Sequence, residues 1–395
     1  MQVGGRGLGV HLGGRTLTTA VCGPGGHRDT AVVPAPGLAA LLARVGDPVP
    51  VRTPDGPRSA AELVVAHLAD AGCTGAGSVV VAVPGHWRGH RRSALDTAGA
   101  AAGLAPLTMV GSAVAVAVAT VVDTDLPEPA LLGVVEVGEE GTSLAVVRVT
   151  DRTVEEAAPP PAPSGWGLGD AEDTVLAAAG DRLPGGDTAA DRAELREACG
   201  TAVQRLCAGP ETTLTWSGGE LRLDRAEWED DLREGVQALA EHLRGALELT
   251  GVPVGALTGL VLAGPGARIP LVVETVAAAF GLVPLVPADP ALAAARGAAL
   301  TAAAAVERAA VRAPALPAPV EQPAPDDVGP AAPSGPRHRR PARTRDPLPR
   351  LVAVPVLAAT LLLSGSGAVA QVGTPPTTVG ESAPHTAPQL PEAGR

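Results

Sequence analysis

The chain has 395 residues, 46% of them apolar and 1% aromatic, and a formal net charge of −12. That length accommodates two or three compact lobes, whose cores must be built from Ala, Val, Leu and Gly because Phe occurs once and Tyr never. The acidic balance argues against a nucleic-acid binder, which needs a basic face, and the lack of any lysine excludes a lysine phosphate cradle or a Schiff base.

In chain order, apolar runs predict strands over 7–12 and 17–22, a helix over 59–71, a strand over 78–83 and helices over 89–103 and 111–121. Strands follow over 131–137 and 143–149, then a helix over 191–207 and a hairpin turned by Gly218-Gly219. Asp224 is placed to cap a helix over 225–250. A strand over 259–263 and helices over 270–280 and 290–306 complete the series. Strands alternating with helices predict α/β lobes with buried sheets. Cys22, Cys73, Cys199 and Cys207 lie singly, as reduced thiols of a cytosolic domain do. Cys199 and Cys207 are two helical turns apart and read as core residues rather than a redox pair. His86, Trp87 and His90 read as a solvated helix start rather than a metal pair.

No basic and apolar leader opens the sequence. Residues 309–350 form a proline-rich spacer that favours extended conformations and ends in the basic cluster Arg337, Arg339, Arg340, Arg343, Arg345 and Arg350. Residues 351–372 ("LVAVPVLAATLLLSGSGAVAQV") carry no charge over a length that crosses a hydrocarbon layer of about 30 Å. Basic residues stay on the cytoplasmic side of such a helix. The expectation is a single-pass plasma-membrane protein with 1–308 inside and a short disordered tail, 373–395, outside.

Several separated motifs resemble, in order, the nucleotide-binding domain of the heat shock protein 70 family and, more broadly, the actin-like ATPases. "GVHLGGRTLTTAV" is similar to its first phosphate loop, and "SVVVAVPGHWRGHRRSALDTAGAAAGLAPLTMVGSAVAVAVA" to its Val-Pro strand and first connecting helix. "LLGVVEVGEEGTSLAVVRV" resembles the second phosphate hairpin, "ELREACGTAVQRLC" the helix beside the adenosine, "LTGLVLAGPGARIPLVVETV" the adenosine loop, and "DPALAAARGAAL" the second connecting helix. One glycine-rich turn alone is a weak signal; six in the family's order carry the resemblance. It implies, over 1–308, a two-lobed actin-like (ribonuclease H-like) α/β fold facing a nucleotide cleft. ATP or ADP with magnesium would be its cofactor. The nucleotide-binding positions would be Leu12, Gly13, Gly14, Arg15, Gly138, Gly141, Gly264, Pro265, Gly266 and Arg268.

The departures bear on chemistry. His11 stands where the family places the Asp that engages hydrated metal, and imidazole is a poor ligand for hard magnesium. Glu139 and Glu140 replace glycines of the second hairpin, where carboxylates repel phosphate. Glu136 is a candidate surviving metal ligand, and the connecting-helix Glu is replaced around Ser112. Arg268 has two roles open to it, stacking on adenine or a surface salt bridge. With a proline-rich spacer and an apolar segment following residue 308, no counterpart of the family's substrate-binding half is expected in these 395 residues. The reading is a degenerate, membrane-anchored family member of actinobacterial type, a weak or inactive ATPase that binds nucleotide or an unknown protein partner. Two alternatives stand beside it: an active ATPase using Glu136, Glu139 and Glu140 as substitute catalytic carboxylates, and a purely structural interaction module.

Overall fold

The computed structural model describes residues 6–23, 28–104, 107–180 and 189–312. Strands β1 (Gly7–Leu12), β2 (Thr16–Cys22) and β3 (Arg28–Pro34) form an antiparallel meander. Helix α1 (Leu38–Arg44), the small hairpin β4 (Val51–Thr53) and β5 (Gly56–Arg58), and helix α2 (Ala60–Leu68) follow. Ser59 and Glu62 start α2 as a reciprocal capping box, each side chain accepting the other's backbone N–H at 3.2 and 2.7 Å. Strand β6 (Val79–Val83) then enters parallel to β1, and after helix α3 (Gly89–Ala101) strand β7 (Thr108–Gly111) adds parallel to β6. The sheet order is β3-β2-β1-β6-β7.

Helix α4 (Ser112–Asp123) leads to a second sheet built in the same way. Strands β8 (Ala130–Val137), β9 (Thr142–Thr150) and β10 (Thr153–Glu156) form the antiparallel meander. Helices α5 (Leu168–Gly180) and α6 (Ala189–Ala208), the hairpin β11 (Glu211–Trp216) and β12 (Gly219–Asp224), and helix α7 (Arg225–Leu249) come next. Asp224 caps α7 by accepting the N–H groups of Ala226 and Glu227 at 2.8 and 3.3 Å. Strand β13 (Gly259–Ala263) lies parallel to β8, giving the order β10-β9-β8-β13. After helix α8 (Pro270–Phe280), Leu285 bridges Val261 in parallel at the place β7 holds in the first sheet. Helix α9 (Ala293–Arg312) ends the described chain. An α/β chain with two mixed sheets of repeated strand order is consistent with an actin-like two-lobed fold.

Each sheet has its own apolar core, and a third cluster of Val80, Ala82, Val134, Ala145, Ala298 and their neighbours joins the two. Helices α4 and α9 run through this shared layer, and small side chains let them approach closely. A Cβ on Gly297 would lie 1.7 Å from the Ala115 carbonyl oxygen, and one on Gly9 would lie 2.1 Å from the Ala299 nitrogen. Backbone therefore packs on backbone where other proteins interpose side chains, which is how a nearly aromatic-free sequence closes a core.

The structure departs from the sequence expectation in several places. Strands β3, β4, β5, β7 and β10 and helices α1 and α5 were not predicted; β3 opens on charged residues, β4 and β5 are three residues each, and α1 is a short run between Gly37 and Gly46. Helix α9 crosses the predicted domain end at 308 and reaches Arg312, because no helix breaker precedes Pro314. Trp87 is no part of a solvated helix start: it is 4% exposed and packs in the first core. Among the described residues no helix is long and apolar enough to cross a membrane. The predicted span 351–372 lies outside the described residues, as do 313–350 and 373–395.

Candidate functional site

The first turn, Gly13 to Arg15, links β1 to β2, and the second, Gly138 to Gly141, links β8 to β9. The two face each other across a cleft of about 710 Å³. Gly167 and Gly169 bring the start of α5 under the second turn, where Leu168 N–H donates to the Gly138 carbonyl at 2.9 Å and Gly169 N–H to that of Glu139 at 2.8 Å. Leu12, Gly13, Gly14, Arg15, Gly138, Gly141 and Pro265 all line the cleft, with Glu136, Glu139 and Glu140.

Side chains of the second lobe meet the first turn directly. Arg15 N–H donates to Glu139 Oε2, Thr16 N–H donates to the same oxygen at 3.2 Å, and the Thr16 hydroxyl reaches Glu139 Oε1 at 3.0 Å. The Arg15 guanidinium turns to Glu172 of α5, Nη1 to Oε2 at 2.7 Å, and its Nε lies 3.5 Å from Glu140 Oε1. Deeper in, His11 Nε2 stands 3.1 Å from Glu136 Oε1, and both side chains are largely buried. Four carboxylates of the second lobe, Glu136, Glu139, Glu140 and Glu172, thus hold His11, Arg15 and Thr16 of the first.

The electrostatics of the deep pair agree from both sides. Burial alone would lower the His11 pKa, but the Glu136 charge, its hydrogen bond and the Glu139 charge outweigh it and hold the imidazole above its ordinary value. Burial alone would raise the Glu136 carboxyl, but the His11 charge and hydrogen bonds from His11 and Ser112 bring it below the usual value. Both shifts favour the charged forms of the two partners. Arg15 loses solvation on burial yet is raised overall by its hydrogen bond and charge contact with Glu172 and by the charges of Glu139 and Glu140.

Of the adenosine-side positions, Pro265 lines the cleft, while Gly264, Gly266 and Arg268 are not among its lining residues. Gly264 and Gly266 pack against Val137, and Arg268 is exposed and bonded to Asp289, Nη2 to Oδ1 at 2.7 Å. Cys199 is fully buried and Cys207 half-buried on α6, both thiols pushed by burial to about 11. His86 is lowered by burial and by Arg91 and Arg88.

These residues do not fit a magnesium-bound triphosphate. The candidate ligand Glu136 is consumed by His11, the turn amides are consumed by Glu139, and the chain supplies no lysine. Among the described residues no group of three or more His, Cys, Asp or Glu is arranged to hold a metal ion. Sequence reasoning missed Thr16 and Glu172. A carboxylate on the buried face of α5, with Ala171, Val175 and Ala179, was the legible sign that Glu172 needed a cationic partner.

Comparison with known proteins adds to this geometry. A chaperone protein HscA homolog of Bordetella petrii is 29% identical over 296 residues, 68% of this chain and 44% of that protein. A second HscA homolog, from Bordetella pertussis, is 30% identical over 297 residues with the same shares. The chain resembles a chaperone. That similarity supports the heat shock protein 70 and actin-like ATPase kinship carried by the motifs. The chain spans less than half the length of these relatives. No family model matches it.

Proposed function

We propose that the two-lobed domain is a chaperone-like pseudo-ATPase that binds partner proteins, held at the inner face of the plasma membrane by residues 351–372. The observation that carries the loss of ATPase chemistry is the His11–Glu136 ion pair, which neutralises the one carboxylate positioned as a metal ligand and puts a cation where a metal would bind. Removing a single electrostatic stabiliser of a transition state commonly costs ~10²- to 10³-fold in rate, and here the lysine and the metal-engaging Asp are both replaced. Support for the membrane tether is the uncharged stretch with arginines on one flank. The full chain, purified in detergent with ATP and magnesium, is expected to give no turnover above background. Turnover at the rate of an ordinary chaperone would refute the reading.

The cleft volume favours one further possibility within the same scheme, retention of a metal-free nucleotide, because 710 Å³ lies within the usual size of small-molecule pockets. Calorimetric titration with ADP and ATP, with and without magnesium, separates it from a purely structural module: heat without metal favours retention, and no heat favours the module. An active enzyme using substitute carboxylates would instead lose turnover in Glu139→Gln or Glu140→Gln.

A further inference from the structure

The Gly13–Thr16 turn has the makings of an oxyanion seat: two successive backbone N–H groups and a hydroxyl converge on one point. That point holds a carboxylate of the chain itself. Glu139 takes both N–H groups on Oε2 and the Thr16 hydroxyl on Oε1, while the Gly138-Glu139 peptide that carries it is fixed by the backbone bonds from Leu168 and Gly169. The fit is close on both sides, since a Cβ on Gly13 would lie 3.3 Å from Glu139 Oε2 and one on Gly14 would lie 2.5 Å from Glu140 Cγ. The remaining cations around the seat are already committed, Arg15 to Glu172 and Glu140, His11 to Glu136.

We propose that Glu139 is a built-in oxyanion ligand of this turn, an intramolecular substitute for a diffusible anion, and that it ties the two lobes together without any ligand. The inference rests on the pseudo-ATPase reading for its biological sense but not for its geometry. A carboxylate anchored on the opposite lobe has a high effective concentration, so a free anion must compete with a partner that never leaves. Any ligand admitted to the cleft would then do so without a phosphate in this seat.

Chemical rescue tests it. In the full-length protein, Glu139→Ala should lower the melting temperature of the domain. Acetate or inorganic phosphate at millimolar concentration should raise it again by several degrees, acetate reporting a seat shaped for a carboxylate and phosphate one that is tetrahedrally tolerant. Wild type and Glu140→Ala, whose carboxylate touches neither amide, should show no such anion response. If Glu139→Ala responds to neither anion beyond wild type, the proposal is overturned. Should that variant fail to fold, hydrogen exchange on the wild type decides instead: the Arg15 and Thr16 amides should be protected without ligand, and exchange at loop rates would overturn the proposal. ATP turnover in wild type would overturn the pseudo-ATPase reading and leave the rescue result standing.

Discussion

His11 and Glu136 set a pH window for the domain. The imidazole has a folded pKa above its ordinary 6.5, so its contribution is fully present below that value and is lost as pH rises through the higher folded value. The carboxyl has a folded pKa below its ordinary 4.5, so its contribution is present above that value and is lost as pH falls through the lower folded one. Melting temperature should therefore hold a plateau for this pair between those ordinary values and decline on the alkaline side. His11→Gln should remove the alkaline decline. Glu136→Gln removes the charge that holds the imidazole protonated, so burial should turn His11 neutral, and denaturant unfolding near pH 6 should show a loss of about 1–3 kcal/mol for the broken buried contact. The double substitution His11→Leu with Glu136→Leu should recover much of that loss, since a buried pair is often replaceable by apolar packing.

At the scale of elements, the crossing of α4 and α9 is the tightest constraint in the molecule. Gly297→Ala drives a methyl into the Ala115 carbonyl, and overpacking of this kind typically costs about 1–3 kcal/mol, with more expected where backbone is the obstacle. Urea unfolding of the variant measures it; an unchanged midpoint would mean that the helices separate freely. The same elements show what the sequence could and could not convey. Strands β1, β6 and β8 were legible because they lie inside their sheets and are apolar but for His11 and Glu136, and β13 because it is apolar throughout. Strands β3, β7 and β10 sit at sheet edges, where burial is partial and the pattern fades. At the site, the alignment of motifs located both turns and the replaced residues, His11, Glu139 and Glu140. Which carboxylate each cation would choose was hidden, because Glu172 lies more than 150 residues from Arg15 in sequence and only folding of α5 brings it near.

At the scale of the whole chain, the folded domain and the apolar segment 351–372 make separable demands. The full-length protein is expected in the membrane fraction of lysed cells, resistant to extraction by high salt, since a tether through an apolar helix does not depend on surface charge. Deletion of 351–372 should release it to the soluble fraction. Recovery of the deleted form with membranes would point instead to the arginine cluster as the attachment. Trp87 packs in the core of the first lobe and lines the cleft, whereas Trp166, Trp216 and Trp228 belong to the second lobe. With no tyrosine in the chain, its ultraviolet emission comes from these four indoles alone. Replacing the second-lobe indoles with Phe leaves a single lamp beside the cleft, whose colour would report any change in the water around Trp87 when Glu139 is removed.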